Sequence, residues 1–194
     1  MNTEVVTLTQ LESHLWESAN ILRGPVDAAD FKTYIFPLLF FKRICDVWDD
    51  EYQEIMVESG DEQLACFPES HRFQIPDDCH WNDVRSKAAN VGSALLRALR
   101  EIEKANPDSL YGVFGDAQWS NKDRLSDSLL KDLIEHFSML PLGNSHVSYF
   151  PCTFDFCNHV TFLDSAATKT ISSIFISEER ATIIRFSSGQ ARMG

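Results

Sequence analysis

The chain has 194 residues, 44% hydrophobic and 24% charged, with a formal net charge of −12. That length accommodates one ordinary domain, or one domain with an appended segment, and the composition excludes a disordered polymer. The negative charge excludes a surface that binds nucleic acid throughout, because phosphates attract Lys and Arg, but it leaves room for a local basic patch.

The opening MNTEVVTLTQ lacks the basic start and apolar core of a secretory signal. A first helix is predicted over Leu8 to Arg23, with Thr7 and Gln10 as a capping box and Gly24 ending it in a left-handed turn. Leu8, Leu11, Leu15, Ala19 and Leu22 form its apolar stripe, with Trp16 beside it. The stretch Gly24 to Tyr52 organises the rest. It predicts one long helix, N-capped by Asp27 and bent near Pro37. Phe31, Tyr34, Ile35, Leu38, Leu39, Cys45, Trp48, Tyr52 and Ile55 recur at helical spacing. Phe36, Phe40, Phe41 and Ile44 widen that stripe, which marks a central helix contacted on several sides. Its longest apolar run, Tyr34 to Phe41, is too short to span a bilayer. The expected compartment is the cytoplasm, with no membrane partner. The acidic end, Asp49, Asp50, Glu51 and Glu54, reads as a solvated face or as a patch for a basic partner.

Ser59 to Pro76 reads as a loop with one short strand at Arg72 to Ile75. A short helix starts at Asn82 or Asp83, and a longer one covers Ala88 to Lys104 with Val91, Leu95, Leu96, Leu99 and Ile102 inward. Asn106-Pro107 stops it. LYGVFGDAQWSNKDRL is a turn-rich connector whose Tyr111, Phe114 and Trp119 plug the core; its glycines fit neither phosphate-loop spacing. Ser126 caps a last helix to about Ser138, with Leu129, Leu130, Leu133, Ile134 and Phe137 buried. Residues 1–146 carry 13 basic and 25 acidic side chains, and residues 147–194 carry four of each. The expected division is therefore a helical domain, 1–146, and a separate tail, 147–194. In the tail, Thr170 to Ser177 and Thr182 to Phe186 form a β-hairpin or belong to a disordered segment. The fold class expected is mainly α: an irregular helical bundle around a long central helix, with a small β-hairpin near the C-terminus as an option.

Chemistry is sparse. Cys45, Cys66, Cys79, Cys152 and Cys157 are odd in number and irregular in spacing, which reads as reduced thiols. Cys152, Cys157 and His159, even with Cys79-His80, do not make a zinc motif. Asp49, Asp50 and Glu54 lack calcium-loop spacing, and Ser187-Ser188-Gly189 is not a nucleophile elbow. His14 and His136 are expected at the surface or the core boundary. No catalytic, cofactor-binding or metal-binding residue is assigned.

Taken together, LESHLWESANILRGPVDAADFKTYIFPLLFFKRICDVWDDEY, FQIPDDCHWNDVR and LYGVFGDAQWSNKDRLSDSLLKDLIEHFSMLPLGN resemble the opening of the methylation subunit of type I restriction–modification systems. The likeness covers about residues 8–144. It implies a helical N-terminal domain that precedes an S-adenosylmethionine-dependent domain methylating N6 of adenine in DNA. Implied partners are a specificity subunit, a second methylation subunit, double-stranded DNA held by the complex, and the restriction subunit as a further candidate. Beyond Pro141-Leu142-Gly143-Asn144 the family's DPxxG and NPP[FYW] motifs do not follow. The Gly-rich turn lets backbone approach the cofactor, and the second motif holds a flipped adenine. This chain alone is therefore expected to transfer no methyl group. The tail reads as a truncation in a changed frame or as a different downstream domain.

Of the basic residues, Lys42 and Arg43 are expected on the outward face of the central helix, either as solubilising charges whose stems cover apolar neighbours or, as the resemblance suggests, contacting DNA phosphate or the specificity subunit. Arg97 and Arg100, near Arg85 and Lys87, form the next patch. Three readings stand: an assembly and DNA-clamping module, part of an active methyltransferase whose catalytic half is missing from the chain, and a helical protein–protein adaptor.

Overall fold

The computed structural model describes residues 6–144. Among them are seven α-helices, two short 3-10 turns and no strand. The tail and its hairpin option lie outside the described residues.

Helix α1, Leu8–Leu22, begins as its sequence requires: Thr7 Oγ1 accepts the Gln10 amide at 3.2 Å and Gln10 Oε1 accepts the Thr7 amide at 2.7 Å. Leu11 and Leu22 are buried, whereas Trp16 is 66% exposed. Gly24 follows at φ +111°. The chain then makes a 3-10 turn, Ala28–Asp30, before α2, Phe31–Ser59. Asp27 is not the cap the sequence suggests. Its carboxylate receives no capping hydrogen bond; its carbonyl accepts the Asp30 amide at 2.9 Å and closes the 3-10 turn instead. Helix α2 runs uninterrupted through buried Pro37 and ends where Gly60, at φ +67°, donates to the Met56 carbonyl.

Twelve of its residues between Tyr34 and Val47 are buried, on every side of the helix. Helices α1, α4 (Trp81–Arg85) and α7 (Asp127–Ser138) pack around it. Phe41 meets Trp81 with ring centroids 5.2 Å apart, and Tyr34 meets Trp119 edge-on at 5.3 Å. Side chains of this size contribute roughly 1.5–3 kcal/mol each on full burial, so this girdle stabilises the fold substantially.

After α2 comes the short α3, Glu62–Ala65, capped by Asp61, and a second 3-10 turn, Pro68–Ser70. Arg72 to Ile75 is not a strand. Side chains satisfy its backbone: Glu51 accepts the Arg72 amide, and Asn106 both accepts the Gln74 amide and donates to the Gln74 carbonyl. Helix α4 starts earlier than expected because His80 acts as its cap, accepting from the Asn82 amide while Asp83 accepts from the His80 amide. Helix α5, Val91–Ala105, is followed by the one-turn α6, Pro107–Leu110. Leu95, Leu99 and Ile102 are buried as the stripe requires. In the connector, Phe114 and Trp119 are each 1% exposed, but Tyr111 points outward at 86%. Ser126 Oγ accepts the Leu129 amide and starts α7.

Candidate functional site

The basic dipeptide in α2 lies where the sequence does not suggest. Lys42 and Arg43 are 7% and 5% exposed, so they are not an outward face. Lys42 Nζ pairs with Asp46 one turn on, an i,i+4 spacing that brings the two side chains together on one helix face. Arg43 Nη1 donates to the Leu142 carbonyl, and its Nη2 donates to Asn144 Oδ1 at 2.8 Å. Asp46 Oδ2 accepts the Leu142 amide at 2.8 Å. Gly143 packs against Asp50 so closely that a Cβ there would overlap its carboxylate. The centre of α2 thus grips the segment that follows α7. Burial lowers the Arg43 pKa to about 10, with nearby Arg72 adding to the effect, yet the guanidinium stays protonated at neutral pH. Burial pushes the Asp46 carboxyl up, and Lys42 opposes that.

A second junction joins α1 to α7. His14 and His136 stack with centroids 3.7 Å apart and planes 10° from parallel. Each ring's Nε2 lies 2.9 Å from the other residue's backbone carbonyl, an acceptor only, so each Nε2 carries a proton and donates. His14 sits at the core boundary as expected, but His136 is buried at 7% exposure. Burial, reinforced by His136, pulls the His14 pKa below its ordinary value, while the hydrogen bond and Glu17 pull the other way. His14, Glu17 and His136 are also the one group among the described residues whose donor atoms converge as metal ligands could. Ring lone pairs lie in the ring plane, and two nearly parallel planes this far apart cannot share one ion. The pair is a hydrogen-bonded clasp.

The remaining cations are largely committed to the protein itself. Arg97 donates to the Asp78 carbonyl at 2.9 Å. Arg100 bridges Glu103 at 2.9 Å and the Gly115 carbonyl at 2.7 Å. Arg85 holds Glu135 with two hydrogen bonds of 2.7 and 2.6 Å. Lys122 and Arg124 pair with Asp127 and Asp30, each at 3.5 Å. Arg97 is exposed and Arg100 half-buried, so their outer edges still face solvent. Cys45 and Cys79 are buried free thiols, with pKa values raised by burial; Cys66 is an exposed one.

Sequence reasoning missed Asp127, whose carboxylate accepts the Asn90 and Val91 amides at 3.0 and 2.9 Å and so caps α5 from another helix. Those hydrogen bonds, with Lys122 nearby, hold its pKa below the ordinary carboxylate value. The i,i+4 spacing of Lys42 and Asp46 was a usable signal; nothing local announced Asp127.

These features define an all-helical domain whose charged groups mostly hold its own elements together. The HsdM N-terminal domain family matches residues 11–137, well over half of the chain and nearly all of the described fold. The chain belongs to that family: it carries the N-terminal domain of a type I restriction–modification methylation subunit, from a family of S-adenosylmethionine-dependent methyltransferase subunits. No helix among the described residues is long and apolar enough to cross a membrane.

Proposed function

We propose that residues 1–146 form an assembly and DNA-clamping domain of a type I N6-adenine DNA methyltransferase subunit, and that this chain alone transfers no methyl group. The observation that carries the reading is the coincidence of the family match, residues 11–137, with the helical fold. The partners are a specificity subunit, a second methylation subunit and double-stranded DNA within the cytoplasmic complex, with the restriction subunit joining it. S-adenosylmethionine belongs to the full-length family, not to these helices. Arg97 and Arg100 are the residues proposed to touch DNA or a neighbouring subunit. Lys42 and Arg43, being buried, act on such contacts through the segment 142–144, which Arg43 holds directly and Lys42 through Asp46.

The test is co-elution of the chain with a specificity subunit and a complete methylation subunit in size-exclusion chromatography with light scattering. A stable complex is expected. Its affinity for duplex DNA should fall and its salt dependence flatten in an Arg97→Glu/Arg100→Glu variant. A chain that elutes alone at micromolar concentration refutes the assembly role. Calorimetric titration with S-adenosylmethionine tests the second half of the proposal, since specific heat of binding would make the chain part of a working enzyme.

A further inference from the structure

From Ile44 to His71 the chain has nine Asp or Glu residues and no Lys or Arg. This is the outer half of α2, the Gly60 turn and α3, which folds back against α2. Three large apolar side chains stand out from it: Val57 is 85% exposed, Leu64 47% and Phe67 53%. Single exposed apolar residues are ordinary, but three within eleven positions, Val57 on α2, Leu64 on the α3 packed against it and Phe67 just after α3, are apolar area that usually finds a cover. Glu54, Glu58, Asp61 and Glu62 are exposed among them. The last turn of α2 has no basic residue, so Glu58 there adds to the negative end of the helix dipole, whereas Asp61 and Glu62 sit at the start of α3, where acids are favoured.

We propose that this surface binds a basic amphipathic segment of a partner protein. Val57, Leu64 and Phe67 would receive its apolar side, and Glu54, Glu58, Asp61 and Glu62 its Lys and Arg residues. Charge decides between occupants. Duplex DNA and anionic lipid are repelled by a stretch with nine carboxylates and no Lys or Arg. A second copy of the same surface carries the same sign and is repelled too. A positively charged helix laid on apolar anchors is attracted over a distance and then held by burial, the usual division between electrostatic steering and apolar anchoring. The proposal does not depend on the methyltransferase reading.

The experiment uses the full chain and a fluorescent synthetic helical peptide with Leu on one face and Lys on the other. A Ser/Lys peptide of equal charge and a labelled DNA duplex serve as comparisons. Anisotropy should show binding of the Leu/Lys peptide, weakening as salt rises, and much weaker binding of the other two probes. A Val57→Ser/Leu64→Ser/Phe67→Ser variant, and separately a Glu58→Lys/Glu62→Lys variant, should each lose about tenfold in affinity. Trp16→Ser, which removes an exposed apolar residue elsewhere, should lose nothing. The exposed Cys66 thiol lies within the surface and gives a local readout: bound peptide should slow its alkylation, followed by peptide mapping. Equal binding of the two peptides overturns the proposal. So do wild-type affinity in both multiple variants, unprotected Cys66, or tighter binding of DNA.

Discussion

Replacing Gly92 with Ala sets two effects of known sign against each other. Gly92 lies in the second position of α5 and is buried. In an exposed helix, Gly→Ala stabilises by about 1 kcal/mol. Here an added Cβ would sit 2.9 Å from the Trp119 carbonyl carbon and nearer still to its oxygen, against an ordinary contact that begins at 3.4 Å. A flexible side chain could swing away, as Leu130 Cδ1 at 3.1 Å can. The Trp119 carbonyl is backbone, and its residue is anchored by an indole ring that is 1% exposed and lies edge-on to Tyr34. Overpacking of this kind costs roughly 1–3 kcal/mol and sometimes more, so the clash should exceed the propensity gain. With backbone this close the cost falls at the upper end, about 3 kcal/mol; less the gain of about 1 kcal/mol, the net loss is about 2 kcal/mol, which at a urea dependence of about 1.5 kcal/mol/M lowers the unfolding midpoint by about 1.3 M. Urea titration followed by circular dichroism measures it, with the slope expected unchanged. Because the clash is with backbone, Trp119→Phe should not rescue Gly92→Ala. A Gly92→Ala protein as stable as wild type, or rescue by Trp119→Phe, would refute the reasoning.

Gly143→Ala should be milder, about 1 kcal/mol or less by the same titration, because its obstacle is the Asp50 side chain rather than backbone. Stability should fall on mild acidification through the His14–His136 clasp. The folded-state pKa of His14 is lowered, so its contribution is complete above 6.5 and is lost as pH falls from there toward that lowered value. His14→Gln should flatten that part of the stability profile, and a slope equal to wild type would count against the clasp. Asp127→Asn should lower the urea midpoint at neutral pH, and the difference from wild type should shrink as pH falls below 3.8. The Asp127 pKa is depressed, so its contribution exists above 3.8 and disappears below the folded-state value. Hydrogen exchange at the Asn90 and Val91 amides should quicken in the same variant.

The elements that were legible from sequence rest on neighbours along the chain. Thr7 with Gln10, Ser126 with Leu129, and the stripe of α5 depend on residues three or four apart, and all occur. The central helix was legible because its apolar circumference leaves no solvent face. Legibility fails where long-range partners override local preference. Lys42 and Arg43 look solvent-seeking, but Asp46 and the carbonyl of Leu142 make their burial tolerable. Asp27 has the chemistry of a cap, yet the 3-10 turn takes up the amide it would have served. Arg72 to Ile75 alternates as a strand does, but Glu51 and Asn106 supply its hydrogen bonds. Tyr111 resembles Phe114 and Trp119 in a sequence; only the path of the turn puts it outside.

The grip of Arg43 on Leu142 spans 99 positions. A ribosome adding about 5–20 residues per second needs about 5–20 s to cover that interval. During that time the Leu142 and Asn144 acceptors of the Arg43 guanidinium have not yet been made. The helices from α1 to α7 can gather around α2 as they emerge, but the contacts of Arg43 and Asp46 with Leu142 and Asn144 form only once those residues have left the exit tunnel. A nascent chain paused just short of Leu142 would lack these contacts across its centre. The domain therefore carries its own completion signal: the peptide that leads onward out of the helices is the same one that seals them.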